Sequence, residues 1–172
     1  IPHELPRCLP KSLQAQASDL QIGKETAFLL ARTGKVYYAG NAKKYGLQDT
    51  NGVWMELILP DLIVAISVAS ESDIVLLRSG SGQVWILGQE PHTLNQGSPV
   101  MGRYHKKDPI GGKGKLRKLH LASRRKCVSM AASSGCVAYV TDNGKSYIFG
   151  RHAMNCNPET GQIYGMDNVH LA

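Results

Sequence analysis

The sequence reads LLARTGKVYYAG at residues 29–40, LLRSGSGQVWILG at residues 76–88 and YVTDNGKSYIFG at residues 139–150. In each stretch two glycines lie six residues apart, and a Tyr or Trp occupies the third position after the first glycine. This pattern is typical of an apolar strand, a tight turn and a short second strand. Asn143-Gly144 predicts a two-residue type I′ turn, because both central residues of that turn need positive φ and Asn and Gly tolerate it.

The three stretches belong to an internal repeat of roughly 50 residues. Their first glycines, Gly34, Gly82 and Gly144, are 48 and 62 residues apart. Short strands repeated at this period are the signature of a propeller. The sequence therefore predicts an all-β fold, a partial β-propeller of about three four-stranded antiparallel blades. The residues expected to support it are turn glycines and aromatic residues packed between blades: Gly34, Gly40, Gly82, Gly88, Gly144, Gly150, Tyr37, Trp85 and Tyr147.

The repeats divide the chain into four parts. Residues 1–18 are an N-terminal extension or linker, 19–62 form blade 1, 63–125 form blade 2 with a long basic loop at 89–115, and 126–172 form blade 3, which ends before a next blade. Three blades do not close a ring and would leave sheet edges open. We therefore expect that the chain is part of a longer polypeptide or that it associates with itself.

Positive charge is concentrated in one segment. The chain has a net charge of +7, and residues 103–126 contain ten Lys and Arg against a single acid, Asp108. This predicted basic patch consists of Arg103, Lys106, Lys107, Lys113, Lys115, Arg117, Lys118, Arg124, Arg125 and Lys126. An acidic protein partner or a plain solvated loop is the favoured interpretation. Nucleic acid and an anionic membrane are the alternatives, and Tyr104 alone offers little base stacking.

The sequence contains no recognisable motif for catalysis, for a cofactor or for a metal. Gly144-Lys145-Ser146 lacks the earlier glycine of a phosphate-binding loop, since that position is Tyr139. The four cysteines form no C-x-x-C pair, which argues against a zinc site. Cys127 and Cys136 are therefore predicted to be core residues, with a disulfide bond as the alternative. There is no run of 18 apolar residues and no signal-peptide core. These observations predict a soluble, intracellular protein without a transmembrane segment.

The glycine and aromatic frame, with an inner strand before it, resembles the repeats of the regulator-of-chromosome-condensation (RCC) type, which form a seven-bladed propeller. A further resemblance is to the divergent repeats of the Pam–Highwire–RPM (PHR) family, RING-type E3 ubiquitin ligases of the nervous system. The residues that carry it include TAFLLARTGKVYY at 26–38, WMEL at 54–57, RRKC at 124–127 and YVTDNGK at 139–145. The resemblance implies a location at axons and synapses and zinc only in a RING region elsewhere in the parent protein.

Three functions follow from these patterns. The first is a non-catalytic scaffold segment of a PHR-like E3 ligase, which recruits protein partners through loops at the ends of the blades. The main alternative is a guanine-nucleotide exchange propeller that acts on a small GTPase, as the repeat type allows. The third is an independent interaction module that self-associates. Partner identity does not follow from any of these residues.

Overall fold

Short antiparallel strands account for nearly all the regular structure. The computed structural model describes residues 9–70, 74–88, 116–119, 121, 124–133 and 136–150. In these ranges a helix at Lys11–Gln14 and a 3-10 helix at Lys43–Tyr45 accompany the strands. The strands are β1 (Ala17–Ile22), β2 (Thr26–Ala31), β3 (Val36–Gly40), β4 (Met55–Leu57), β5 (Ile63–Val68), β6 (Ile74–Ser79), β7 (Val84–Gly88), β8 (Arg117–Leu119), β9 (Cys127–Ser133), β10 (Cys136–Thr141) and β11 (Ser146–Gly150).

The strands form three antiparallel sheets in chain order. Strands β1–β4 make blade 1, β5–β8 make blade 2 and β9–β11 make the described part of blade 3, each with its first strand at one edge. The fold is therefore a partial β-propeller, as the repeats predicted. Within the predicted blade 3, at 126–172, residues 134–135 and 151–172 lie outside the described residues. The first strand of blade 1 begins at Ala17, two residues before the predicted boundary.

The three glycine-containing turns have the same geometry. In each, the amide of the glycine donates to the carbonyl three residues earlier, as Gly34 does to Ala31 at 2.9 Å and Gly144 to Thr141 at 2.9 Å. The amide of that earlier residue donates to the carbonyl of the residue that follows the glycine, as Ala31 does to Lys35. This is a three-residue loop, a type I turn followed by a left-handed glycine that forms a bulge. The φ angles of Gly34, Gly82 and Gly144 are 88°, 84° and 80°.

The predicted type I′ turn at Asn143-Gly144 is wrong. Among the described non-glycine residues, positive φ occurs at Asn51 and Arg124 and not at Asn143. The carboxamide oxygen of Asn143 accepts a hydrogen bond from the Thr141 hydroxyl at 2.6 Å. The pairing of Val140 with Ser146 leaves room for a longer loop, so the first residue of the Asn-Gly pair belongs to the type I turn and only the glycine is left-handed.

Two apolar clusters hold neighbouring blades together. The first joins blades 1 and 2 through side chains of β2 and β3 on one side and β5, β6 and β7 on the other: Phe28, Leu30, Val36, Tyr38, Ile63, Ile66, Val75, Leu77, Trp85 and Leu87. The second joins blades 2 and 3 in the same way: Ile74, Leu76, Val84, Ile86, Leu119, Cys127, Val137, Tyr139 and Tyr147. Alternate residues of one strand thus face opposite neighbours, as the two-residue period of a strand requires.

A backbone hydrogen bond at each junction links a turn to the following blade. The amide of Ile63, the first residue of β5, donates to the carbonyl of Gly34 at 2.9 Å. The amide of Cys127, the first residue of β9, donates to the carbonyl of Gly82 at the same distance. The left-handed glycine of one blade therefore positions the inner strand of the next.

Polar side chains of the inner strands form a second link. The side-chain amide of Gln21 in β1 donates to the carbonyl of Ile66 at 2.9 Å and accepts from the amide of Val68 at 2.7 Å. At the equivalent position of β5, the hydroxyl of Ser67 accepts from the amide of Ala132 at 3.0 Å. Both side chains satisfy backbone groups on the free edge of the next inner strand, where an unpaired group would carry a penalty.

Replacement of Gly82 by alanine tests the role of the left-handed glycine. A Cβ on Gly82 would lie 2.5 Å from Cβ of Lys126, and its φ is disfavoured for an L residue. We expect Gly82→Ala to lower the free energy of unfolding by more than about 1–2 kcal/mol in urea denaturation. Gly80→Ala, in the same turn, is the control, because its Cβ would lie 3.6 Å from Val64 and its φ lies outside the left-handed region. An equal loss in both variants would contradict this role.

Candidate partner-binding surface

The aromatic residues of the frame occupy equivalent positions but not equivalent environments. Trp85 is 6% exposed in the cluster between blades 1 and 2, and its indole N–H donates to a carboxylate oxygen of Asp61 at 3.2 Å. Tyr147 is 3% exposed between blades 2 and 3, where its ring stacks on Tyr139. Tyr37 is only partly buried and belongs to neither cluster in the described part of the chain.

The burial of the frame aromatic depends on the blade that its side chain faces. Trp85 and Tyr147 both point toward the preceding blade, and blade 1 has no preceding blade among the described residues. The adjacent residue, Tyr38, faces blade 2 instead and is 5% exposed. Burial raises the pKa of the Tyr38 hydroxyl.

The second glycine of each frame ends the third strand. Gly40, Gly88 and Gly150 are paired with the first residue of the second strand, which is Thr26, Ile74 and Cys136 respectively. The φ angles of Gly40 and Gly88 are 114° and 104°. A Cβ on Gly40 would lie 2.3 Å from the carbonyl oxygen of Glu25, so this glycine allows a close approach of two backbones.

The predicted basic patch divides into three groups. Arg103, Lys106, Lys107, Lys113 and Lys115 lie outside the described residues. Arg117 and Lys118 are on β8, the outer strand of blade 2. Arg124, Arg125 and Lys126 form the connection to the inner strand of blade 3, and all three are exposed.

The side chain of Arg117 contributes to the structure of blade 2. Its side chain is half-buried, and its guanidinium donates to the carbonyl of Gly88 at 3.1 Å. Burial lowers the pKa of the guanidinium below its usual value. A charge reversal here would disturb the edge of blade 2, so Arg117 is a poor position from which to test binding.

The connection at 124–126 lies on the end of the blades that carries the glycine turns. We call this end, with the turns at 31–35, 79–83 and 141–145 and the connections leading to β5 and β9, the turn face. The carbonyl of Lys126 accepts from the amide of Asp142 at 2.8 Å, and the Arg125 side chain pairs with the Asp142 carboxylate at 2.7 Å. Arg125 is therefore partly neutralised, whereas Arg124 and Lys126 contribute their charge to this face.

Further exposed cations on the turn face were not predicted as part of the patch. Arg32, Lys35 and Lys145 lie in or beside the glycine turns and are exposed, and Lys35 is 3.8 Å from the carboxylate of Glu56. They are far from 103–126 in sequence, and only the repeat alignment, which places every turn at the same end of its blade, could have grouped them. Exposed apolar residues of the connection at 58–62 were also missed.

Candidate metal ligands do not cluster in the ranges that the structure describes. Those residues include no group of three or more His, Cys, Asp or Glu side chains placed to hold a metal ion. Cys127 is a free thiol, 2% exposed, and burial raises its pKa, as suits a core residue. Cys136 belongs to β10. No helix in the described part of the chain has the length and hydrophobicity needed to span a membrane.

Comparison with solved structures confirms the class of fold. Human WBSCR16 superposes with a TM-score of 0.63 at 17% identity, over 83% of this chain and 35% of that one. Yeast RCC1 (Prp20), in its complex with Kap60, gives a TM-score of 0.59 at 21% identity, over 91% of this chain and 37% of that one. These neighbours are propeller proteins of the RCC type, and the likeness shows that the three sheets of this chain have the propeller fold.

Comparison with curated proteins agrees with the second resemblance. No protein-family model matches the sequence. The chain is 26% identical over 144 residues, 81% of its length, to E3 ubiquitin-protein ligase MYCBP2 of Danio rerio, which is a PHR-family ligase. It spans 3% of the length of that relative.

Charge reversal on the turn face tests the contribution of the exposed cations. We expect the double variant Arg124→Glu/Lys126→Glu to weaken binding to poly-L-glutamate about tenfold at low ionic strength, because both side chains add to the field of this face. The measurement is a titration at several salt concentrations. The control is Lys43→Glu/Lys44→Glu, which makes the same charge change at the opposite end of blade 1, beyond β3. Equal weakening by both variants would show that only net charge matters.

Proposed function

We propose that these blades are a non-catalytic scaffold segment of a PHR-like E3 ubiquitin ligase and that they recruit protein partners through the turn face. The observation that carries this proposal is the 26% identity to MYCBP2, which extends over 144 residues and hence over more than one blade. The same resemblance supports action inside the cell, at axons and synapses of neurons. Protein partners also suit the fold, because a rigid sheet frame can present variable loops.

The geometry supports a role in binding. The inter-blade clusters and the junction hydrogen bonds use the interior of the sheets and the backbone of the turns. The side chains at the tips, such as Arg32, Lys126 and Lys145, are left exposed. These positions can vary without loss of the frame, so a partner can be recognised there.

The test uses the ligase polypeptide that contains these blades, with residues 17–150 replaced by a flexible linker. We expect autoubiquitination to be retained, because the chemistry belongs to another region, whereas ubiquitination of co-purifying proteins is lost. The measurement is ubiquitin transfer with purified E1 and E2 enzymes, followed by mass spectrometry of the modified proteins. The Arg124→Glu/Lys126→Glu variant keeps the blades and alters only the turn face, so we expect it to retain autoubiquitination and to lower ubiquitination of the co-purifying proteins. Loss of autoubiquitination, or unchanged modification of the other proteins, would contradict the scaffold role.

A small GTPase as partner is the second candidate. Prp20p of Saccharomyces cerevisiae shares the fold, and its binding to Gsp1p and histones has been characterised. This likeness, at 19% identity, supports the fold alone, so the choice of a GTPase is our proposal.

Nucleotide exchange would be detected with a fluorescent GDP analogue bound to Gsp1p. If the blades act as an exchange factor, the polypeptide that contains them accelerates release of the analogue, and the polypeptide without residues 17–150 does not. A release rate equal to the spontaneous rate with both polypeptides would exclude exchange activity on this GTPase. Binding of Prp20p to the same Gsp1p preparation is the control for an intact GTPase.

A further inference from the structure

The turn face carries an apolar surface at the junction of blades 1 and 2. Ile58, Leu62 and Val64 are 79%, 65% and 52% exposed, and they lie within seven consecutive residues, the first two in the connection at 58–62 and Val64 near the start of β5. Single exposed apolar residues are common on soluble proteins, but a contiguous group more often marks an interaction site.

Contacts with the glycine turns place this surface between blades. A Cβ on Gly34 would lie 2.8 Å from Cβ of Leu62, so Leu62 rests on the turn of blade 1. A Cβ on Gly80 would lie 3.6 Å from Cγ1 of Val64, so Val64 lies beside the turn of blade 2. The two side chains therefore bridge the space between neighbouring turns.

The other repeats show that the architecture does not require apolar residues here. The residue before the inner strand is Gln16 in blade 1, Leu62 in blade 2 and Lys126 in blade 3. Lys126 rests on Gly82 as Leu62 rests on Gly34, and the junction hydrogen bond is 2.9 Å in both cases. A polar residue thus serves the junction equally well.

The position of Val64 leads to the same conclusion. It lies at a β-bulge, where the register of β5 shifts between Ile63 and Ala65. The bulged residue of blade 1 is Ser18, also exposed, at a shift between Ala17 and Asp19, and the bulged residue of blade 3 is Val128, which is half-buried. The described part of the chain combines an exposed apolar residue at both positions in blade 2 alone.

Positive charge flanks this apolar surface on two sides. Exposed Arg32 lies in the turn that contacts Leu62. On the other side, beyond the turn at 79–83, Lys126 contacts Gly82 and Arg124 is exposed nearby in the same connection. Asp61, which precedes Leu62 in the same connection, accepts a hydrogen bond from the indole N–H of Trp85 and so has a structural role.

We propose that this surface, defined by Ile58, Leu62 and Val64 and flanked by Arg32, Arg124 and Lys126, binds an acidic peptide segment that carries apolar anchor residues. The apolar side chains of the peptide bury Leu62 and Val64, and its carboxylates pair with the flanking cations. The inference rests on the proposed function, because it names the class of partner that the turn face recruits.

The experiment uses the full chain and a fluorescein-labelled peptide in which Glu residues alternate with Leu and Phe. Two companion peptides replace Glu by Gln or replace Leu and Phe by Ser. The protein variants are Leu62→Lys and Leu62→Gln, since Lys126 preserves the equivalent junction of blade 3 and Gln16 occupies the equivalent position of blade 1. The matched control is Leu20→Lys, which alters an apolar residue of β1 that is 54% exposed. Fluorescence anisotropy gives the affinity, and urea denaturation verifies folding.

We expect the acidic apolar peptide to bind the native chain and each Leu62 variant to weaken binding about tenfold, with little effect of Leu20→Lys. Both companion peptides should bind more weakly. Equal binding of the Gln peptide, equal affinity of the Leu62 variants, or stronger binding of single-stranded DNA or phosphatidylserine vesicles would overturn the proposal. Self-association of the chain that is abolished by Leu62→Lys would also overturn it, because a second copy would then be the occupant.

The result separates this inference from the proposed function. If the peptide fails to bind but removal of residues 17–150 still abolishes ubiquitination of other proteins, the acidic-peptide site is wrong and the scaffold role stands. If the peptide binds through Leu62 but removal of the blades leaves ubiquitination unchanged, the site stands as a binding surface and the scaffold role is wrong.

Discussion

The hydrogen bond between a turn glycine and the first residue of the next inner strand is the constraint on which the other features depend. It forms only when the carbonyl of Gly34 or Gly82 faces outward from the turn and the following chain approaches the glycine without a side chain in between. A left-handed glycine satisfies both conditions. Once the inner strand is fixed at its first residue, its alternation determines which side chains enter the cluster with the preceding blade.

The repeated architecture separates what a position needs for folding from what it carries in addition. Equivalent residues of the repeats have the same backbone environment. A difference between their side chains is therefore not required by the fold. Leu62 and Lys126 make equivalent approaches to the turns of the preceding blades, yet one side chain is an alkyl group and the other carries an ammonium. Gln21 and Ser67, in contrast, keep one function with different lengths of side chain, since each accepts from the amide of the next inner strand.

Much of the frame could be predicted from sequence because it depends on local chemistry. The positions of Gly34, Gly82 and Gly144, and the alternation around Trp85, follow from backbone φ and from the period of a strand. The turn type at Asn143-Gly144 could not be predicted, because it depends on the register of β10 with β11. The half-burial of Arg117 depends on its contact with the end of β7, and the exposure of Leu62 depends on how neighbouring blades meet; a charge count or a hydropathy value at one position contains no such information.

The inner-strand link described for Gln21 and Ser67 weakens along the chain. Gln21 makes two hydrogen bonds to blade 2, Ser67 makes one to blade 3, and the equivalent residue of blade 3 is Ala131, whose side chain can make none. In a linear array, stability is the sum of each unit and its coupling to its neighbours. We therefore expect local opening to differ between the two described junctions, with amide protons on the edge of β9 exchanging with solvent sooner than those on the edge of β5.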